Sequence, residues 1–180
     1  MVTRESCLIC QIIENKVPAY KVYEDDLILA ILDVNGASPG HCFVIPKNHY
    51  PIIEQVPDAE LVNLFSLANK ISSAIFENLK VQGTNIFVAN GIPAGQTVAH
   101  FMINVIPRME NDGINLQWSP KQLNEEEMST VELKLKESIQ NIGVSKIETP
   151  EKPQVIERAD TAAITDDEED YISKQLRRIP

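Results

Sequence analysis

Apolar residues recur at three- and four-residue steps in two stretches of this chain, and in short runs or alternation between them. Leu61, Leu64, Phe65, Leu67, Ala68, Ile71 and Ile75 form a broad apolar face, which predicts an amphipathic helix over residues 59–79. Met128, Val131, Leu135, Ile139 and Ile142 predict a second, with Asn124 and Glu127 as its start signal and Gly143 as its stop. Segments 21–23, 27–33, 42–45, 85–89 and 100–106 read as strands. The order is helix, three strands, long helix, two strands and C-terminal helical additions. It predicts an α+β domain on a mostly antiparallel five-stranded sheet, with no internal repeat.

The C-terminal part differs in composition. Residues 148–160 contain two prolines and little apolar content, as a linker does. The acidic run 166–170 follows. Thr165 and Glu168 have capping-box spacing, and Lys174, Arg177 and Arg178 suit a helix C-terminus, so a short terminal helix over about 166–178 is predicted. Its narrow stripe of Tyr171, Ile172, Leu176 and Ile179 would dock on the body or on a partner protein; a solvated, frayed tail is the plainer alternative. The expected division is a body over residues 1–110, a helical extension of it over 111–147, and an acidic linker with terminal helix over 148–180.

Composition narrows the function classes. With 180 residues, 43% of them hydrophobic, the chain suits one ordinary core plus an appendage. No apolar run approaches the roughly 20 residues of a membrane-spanning helix, and no signal-peptide core follows the polar start, so a cytoplasmic protein with no membrane association is expected. A net charge of -10 argues against non-specific nucleic-acid binding, which relies on many Lys and Arg contacts to phosphates. Three cysteines, an odd number, argue against a disulfide framework and leave metal binding or burial as their use. Cys7 and Cys10 are spaced as a pair; Cys42 stands alone, as a buried thiol.

The most informative stretch is Gly95-Gln-Thr-Val-Ala-His100-Phe-Met102-Ile-Asn104-Val-Ile-Pro-Arg108. Alternation along a strand puts Phe101, Ile103 and Val105 on a core face, and His100, Met102, Asn104 and Ile106 on the other. The stretch resembles the signature of the histidine-triad (HIT) family, in which three histidines alternate with apolar residues and Ile-Pro-Arg often follows. Collinear matches extend over roughly residues 5–110: Cys7-Leu-Ile-Cys10, Lys21-Val-Tyr-Glu-Asp leading to Leu32-Asp33, Pro39-Gly-His41, Ile45-Pro-Lys-Asn-His49, and Asn90 before Gly95-Gln-Thr97.

The resemblance implies an HIT-like fold that pairs through its sheet into a homodimer and holds a purine nucleotide beside the signature strand. In the family the middle histidine attacks the α-phosphorus and carries the nucleotidyl group until water releases it. Here that position is Met102. A thioether moves no proton and would have to become a sulfonium to attack phosphorus. The third position is Asn104, which hydrogen-bonds phosphate but is no acid or base near neutral pH. By the same carry-over Asp33 would hold ribose hydroxyls, and Asn90, Gly95, Gln96, Thr97 and Asn104 would surround the phosphate. Taken without the resemblance, a strand-end turn residue at Asp33 and a simple turn at Gly95 are the favoured readings.

Cys7, Cys10, His49 and His100 match the zinc set of one HIT subgroup, a structural Cys2His2 site. Two reduced structural cysteines and a redox pair are the alternatives, although no strand precedes Cys7 as it would in a thioredoxin-like unit. Of the three histidines, His41 alone has no metal role to play. Three functions follow: a non-catalytic nucleotide-binding or partner-binding module; a nucleotide phosphoramidate or dinucleotide hydrolase or nucleotidyl transferase that uses His41 or an activated water; and a scaffold that has lost nucleotide binding.

Overall fold

The computed structural model describes residues 4–140. The linker and terminal helix expected over 148–180 lie outside the described residues. Among the described residues, five strands form one antiparallel sheet: β1 (Lys21–Glu24), β2 (Ile28–Leu32), β3 (Cys42–Pro46), β4 (Gly83–Phe87) and β5 (Ile103–Arg108), in the order β1-β2-β3-β5-β4. Helix α1 (Leu8–Ile13) precedes the sheet, α2 (Asp58–Leu79) joins β3 to β4, and α3 (Glu125–Gln140) follows. The predicted α+β architecture is what forms.

The central strands are apolar on both faces because both are covered. Ile28 and Ala30 of β2, Cys42 and Val44 of β3, and Ile103 and Val105 of β5 pack with Leu64, Ala68, Ile71 and Ile75 of α2. Their neighbours Leu29, Ile31 and Ile45 pack on the opposite face with Ile9 and Ile12 of α1. Burying each large aliphatic side chain contributes about 1.5–3 kcal/mol, so the period-two pattern of the strands is fixed from both sides. Phe65, expected on the apolar face of α2, is instead 43% exposed. The helix turns its Leu64, Ala68, Ile71 and Ile75 row inward, and Phe65 lies at the margin of that row.

Strand β5 starts at Ile103, three residues later than predicted, and runs on to Arg108. His100, Phe101 and Met102 precede it; the Phe101 N–H donates to the Tyr50 carbonyl at 2.5 Å, so this segment is held to the loop after β3 and not to the sheet ladder. The first compact unit ends at Trp118, past the expected boundary at residue 110, and the second begins at Ser119. In the second unit α3 opens with the predicted capping box: the Asn124 N–H donates to Glu127 Oε2 and the Glu127 N–H to Asn124 Oδ1. Met128, Val131, Leu135 and Ile139 follow one another at helical steps along α3, as the sequence pattern predicts.

Candidate functional site

Two clusters of polar side chains lie where the strands end. The first joins four segments distant in sequence. Cys7 precedes α1, Cys10 lies within it, His49 follows β3, and His100 lies before β5. Their donor atoms all fall within 4.8 Å of one another. Nδ1 of His49 is 3.3 Å from Nδ1 of His100 and 3.3 Å from Cys10 Sγ, while Nδ1 of His100 is 3.6 Å from each sulfur. All four sequence-predicted ligands therefore converge, and three of them are fully buried.

The protonation states suit metal ligation. His100 Nε2 lies 3.0 Å from the Pro46 carbonyl, to which it donates, leaving the Nδ1 lone pair directed at the sulfurs. Burial lowers His100 to about 4, so its ring is neutral. Burial pushes the Cys10 thiol up to about 11, and the neighbouring Cys7 sulfur adds to the shift. A Cys10 sulfur that resists ionising in this way is what a cation beside it would compensate. His49 Nε2 is buried without a hydrogen-bond partner.

The second cluster surrounds His41, which is 6% exposed. Its Nε2 lies 3.3 Å from Asn104 Oδ1, and its Nδ1 accepts the Ala37 N–H at 3.2 Å and lies 3.5 Å from Asp33 Oδ2. The Ala37 donor places the lone pair on Nδ1 and the proton on Nε2, so both ring nitrogens are engaged. Gly36 closes the loop around the ring; a Cβ there would come within 2.8 Å of His41 Cβ. Cross-strand pairing of Phe43 with Asn104 sets the two strands in register, and the His41 ring tilts over Phe43 at 4.9 Å. Met102 is half-buried against the α1 side of the sheet.

The remaining predicted residues follow the strand ends. Asp33 succeeds β2; its Oδ1 accepts the Asn35 N–H, which fixes the carboxylate in the loop. Gly95 has φ of 90°, and nothing lies within 4 Å of where a Cβ would be, so the backbone is open to close approach. Thr97 is exposed beside it. Gln96 is placed differently from the expectation of a phosphate donor. Its Nε2 gives both hydrogens to the Pro51 and Val98 carbonyls, and its Oε1 accepts the Gly91 N–H, so its amide is spent on backbone. Asn90 likewise accepts the Ile53 N–H and donates to Glu54. Sequence reasoning missed this clasp because nothing in Gln96 marks which carbonyls it meets, nor in Asn90 that it meets the Ile53 N–H and the Glu54 carboxylate.

Comparison with known proteins agrees with this architecture. The HIT domain model matches residues 14–111, more than half of the chain. Adenylylsulfatase HINT3 of Arabidopsis thaliana is 41% identical over 109 residues, 61% of this chain but 55% of that protein, so the chain spans about half of that relative's length. A crystal structure of an HIT family protein from Bacillus anthracis superposes with a TM-score of 0.71 at 34% identity, covering 76% of this chain and 99% of that one. A zinc-bound histidine triad family protein from Mycobacterium smegmatis superposes with a TM-score of 0.60 at 30% identity, covering 77% of this chain and 99% of that one. A five-stranded sheet of this form is that of the histidine-triad proteins, and this chain belongs to the HIT domain family.

Proposed function

We propose that this protein is a zinc-containing purine-nucleotide-binding module that does not work through a nucleotidyl-histidine. The observation that carries the reading is a His41 whose two ring nitrogens are both engaged, in a chain that has Met102 where the family has its nucleophile. For His41 to attack, it would have to break one of these contacts inside a buried site. The face beside β5 therefore offers hydrogen-bonding groups for a nucleotide and no nucleophile for its phosphorus.

The donor set and spacing favour zinc. Zn–S bonds of about 2.3 Å and Zn–N bonds of about 2.0–2.1 Å place tetrahedral nitrogen pairs about 3.3 Å apart and sulfur–nitrogen pairs about 3.5 Å apart. The separations of 3.3–3.6 Å among these side chains agree. Zinc held by Cys7, Cys10, His49 and His100 would be structural, since four protein ligands leave no position for a catalytic water. The zinc-bound M. smegmatis relative supports the same choice.

For the nucleotide, Asp33 would receive the ribose hydroxyls and Asn104 and Thr97 the phosphate. The 91–96 turn, with Gly95 at its open end and Asn90 and Gln96 holding its base, would wrap the anion. An adenine nucleotide is favoured by the name of the A. thaliana relative, an adenylylsulfatase. The chain would pair with a second copy through the uncovered edge of β4, where Ile86 and Phe87 are 39% and 37% exposed. Phe65 and Phe76, in helical phase with the Ser72 hydroxyl that bonds Thr84 of β4, extend that apolar surface.

The test is calorimetric titration of metal-analysed protein with AMP and GMP, followed by an AMP phosphoramidate turnover assay. Micromolar binding without turnover supports the module. Turnover abolished by His41→Ala would establish the hydrolase or transferase instead, and neither binding nor turnover would leave a scaffold.

A further inference from the structure

Gln96 stands between the two loops that hold the metal ligands and the turn assigned to the phosphate. Its Nε2 donates to the Pro51 carbonyl at 2.7 Å and to the Val98 carbonyl at 2.9 Å. Pro51 lies two residues after His49, and Val98 two residues before His100. Its Oε1 accepts the Gly91 N–H at 2.8 Å, and its own N–H donates back to the Gly91 carbonyl at 3.2 Å. Every hydrogen of the side-chain amide is used, and each goes to backbone.

The turn needs such a tie. Gly91 and Gly95 have φ of 88° and 90°, so the segment is built on the two residues with the greatest freedom to adopt other conformations. The short turn Ile92–Ala94 between them buries no side chain. Its fixed points are Gln96 and, through Ile53, Asn90. Both lead back to the stretch after His49.

We propose that Gln96 is a positioning residue that couples occupancy of the Cys7, Cys10, His49 and His100 centre to the conformation of the 91–96 turn. An ion held by His49 and His100 would steady the separation of the Pro51 and Val98 carbonyls that the Gln96 amide spans. When the ion leaves, the Phe101 N–H still ties the two loops through the Tyr50 carbonyl, but the His49 and His100 side chains are no longer drawn together, so the amide's hold on the Pro51 and Val98 carbonyls loosens and with it the hold on Gly91. The zinc site thus prepares the neighbouring turn although it lies outside it. The proposal rests on the zinc reading above and does not require that a nucleotide be bound.

Hydrogen exchange on the full chain, zinc-loaded and chelator-stripped, tests it, with zinc content measured separately. In the wild type, exchange of the Gly91 amide speeds by about 5- to 150-fold on zinc removal, the range of ordinary site-to-site coupling, while β5 amides stay protected. In Gln96→Ala, Gly91 exchanges fast in both states while zinc content is unchanged. Gln96→Glu keeps an acceptor for Gly91 but lacks the two N–H donors, and it fails to restore the zinc dependence. A wild-type Gly91 indifferent to zinc overturns the coupling, as does a zinc response that survives in both variants. Wild-type protein that takes up no zinc refutes the metal reading, and the coupling with it; zinc uptake without a Gly91 response refutes the coupling alone.

Discussion

At the residue scale, the proposed loss of nucleotidyl-histidine chemistry rests on Met102 and can be tested by reversal. Replacing the thioether by an imidazole restores a group able to attack phosphorus and leave again. Met102→His is expected to accumulate a covalent nucleotidyl adduct with AMP phosphoramidate, seen as a mass increase of the intact protein, whereas the wild type shows none. An adduct on the wild type would return His41 to the role of nucleophile. Cys42 gives a second prediction. It is 2% exposed, and burial pushes its thiol up to about 11. Because only the thiolate is alkylated, a raised value means that at pH 8 roughly one molecule in a thousand is reactive. Iodoacetamide should spare Cys42 in the native protein and modify it after denaturation, as peptide mass mapping would show. The convergence of Cys7, Cys10, His49 and His100 was legible in the sequence through its resemblance to the HIT family, as was the place of Met102 and Asn104 in the signature. The work of Gln96 was not: a glutamine beside a glycine suits a phosphate loop, and only the fold brings Pro51 within reach of its amide.

At the scale of elements, periodicity located the strands and α2 because burial on a single face or on both leaves an apolar record. It was less able to place their ends. β4 begins at Gly83 where apolar residues suggested 85, since the ladder partner Arg108 extends β5 and pairing continues past the apolar part. The end of α2 carries a testable strain. Lys80 closes the helix at φ 54° in the left-handed region, where a side chain costs about 1 kcal/mol and glycine costs none. Lys80→Gly should therefore raise stability by up to about 1 kcal/mol in a denaturant melt, less what the freer unfolded chain takes back. No gain would mean that the Lys80 side chain contributes as much as the strain costs. The free edge of β4 belongs to the same scale. An unprotected edge with apolar neighbours invites pairing. Ile86→Asp should convert a dimer to a monomer in sedimentation equilibrium, and a wild type already monomeric would remove the basis for pairing through this edge.

For the whole molecule, the question is what the family domain requires of the rest of the chain. The core, both polar clusters and every hydrogen bond cited for them lie before Trp118, where the first compact unit ends. The described part of the second unit carries the apolar residues Met128, Val131, Leu135 and Ile139 along α3. No helix among the described residues is long and apolar enough to cross a membrane, so that stripe is not accounted for by a bilayer span. Changes that touch no buried contact of the core usually leave stability within about 0.5 kcal/mol. A chain ended after Trp118 is thus expected to fold, take up zinc with the same stoichiometry, and unfold within that margin of the full chain in guanidinium. A loss of several kcal/mol would mean that the stripe of Met128, Val131, Leu135 and Ile139 finds a surface of the body to cover in solution. Retained stability would instead assign the stripe, and the acidity of the chain after it, to work other than holding the domain together.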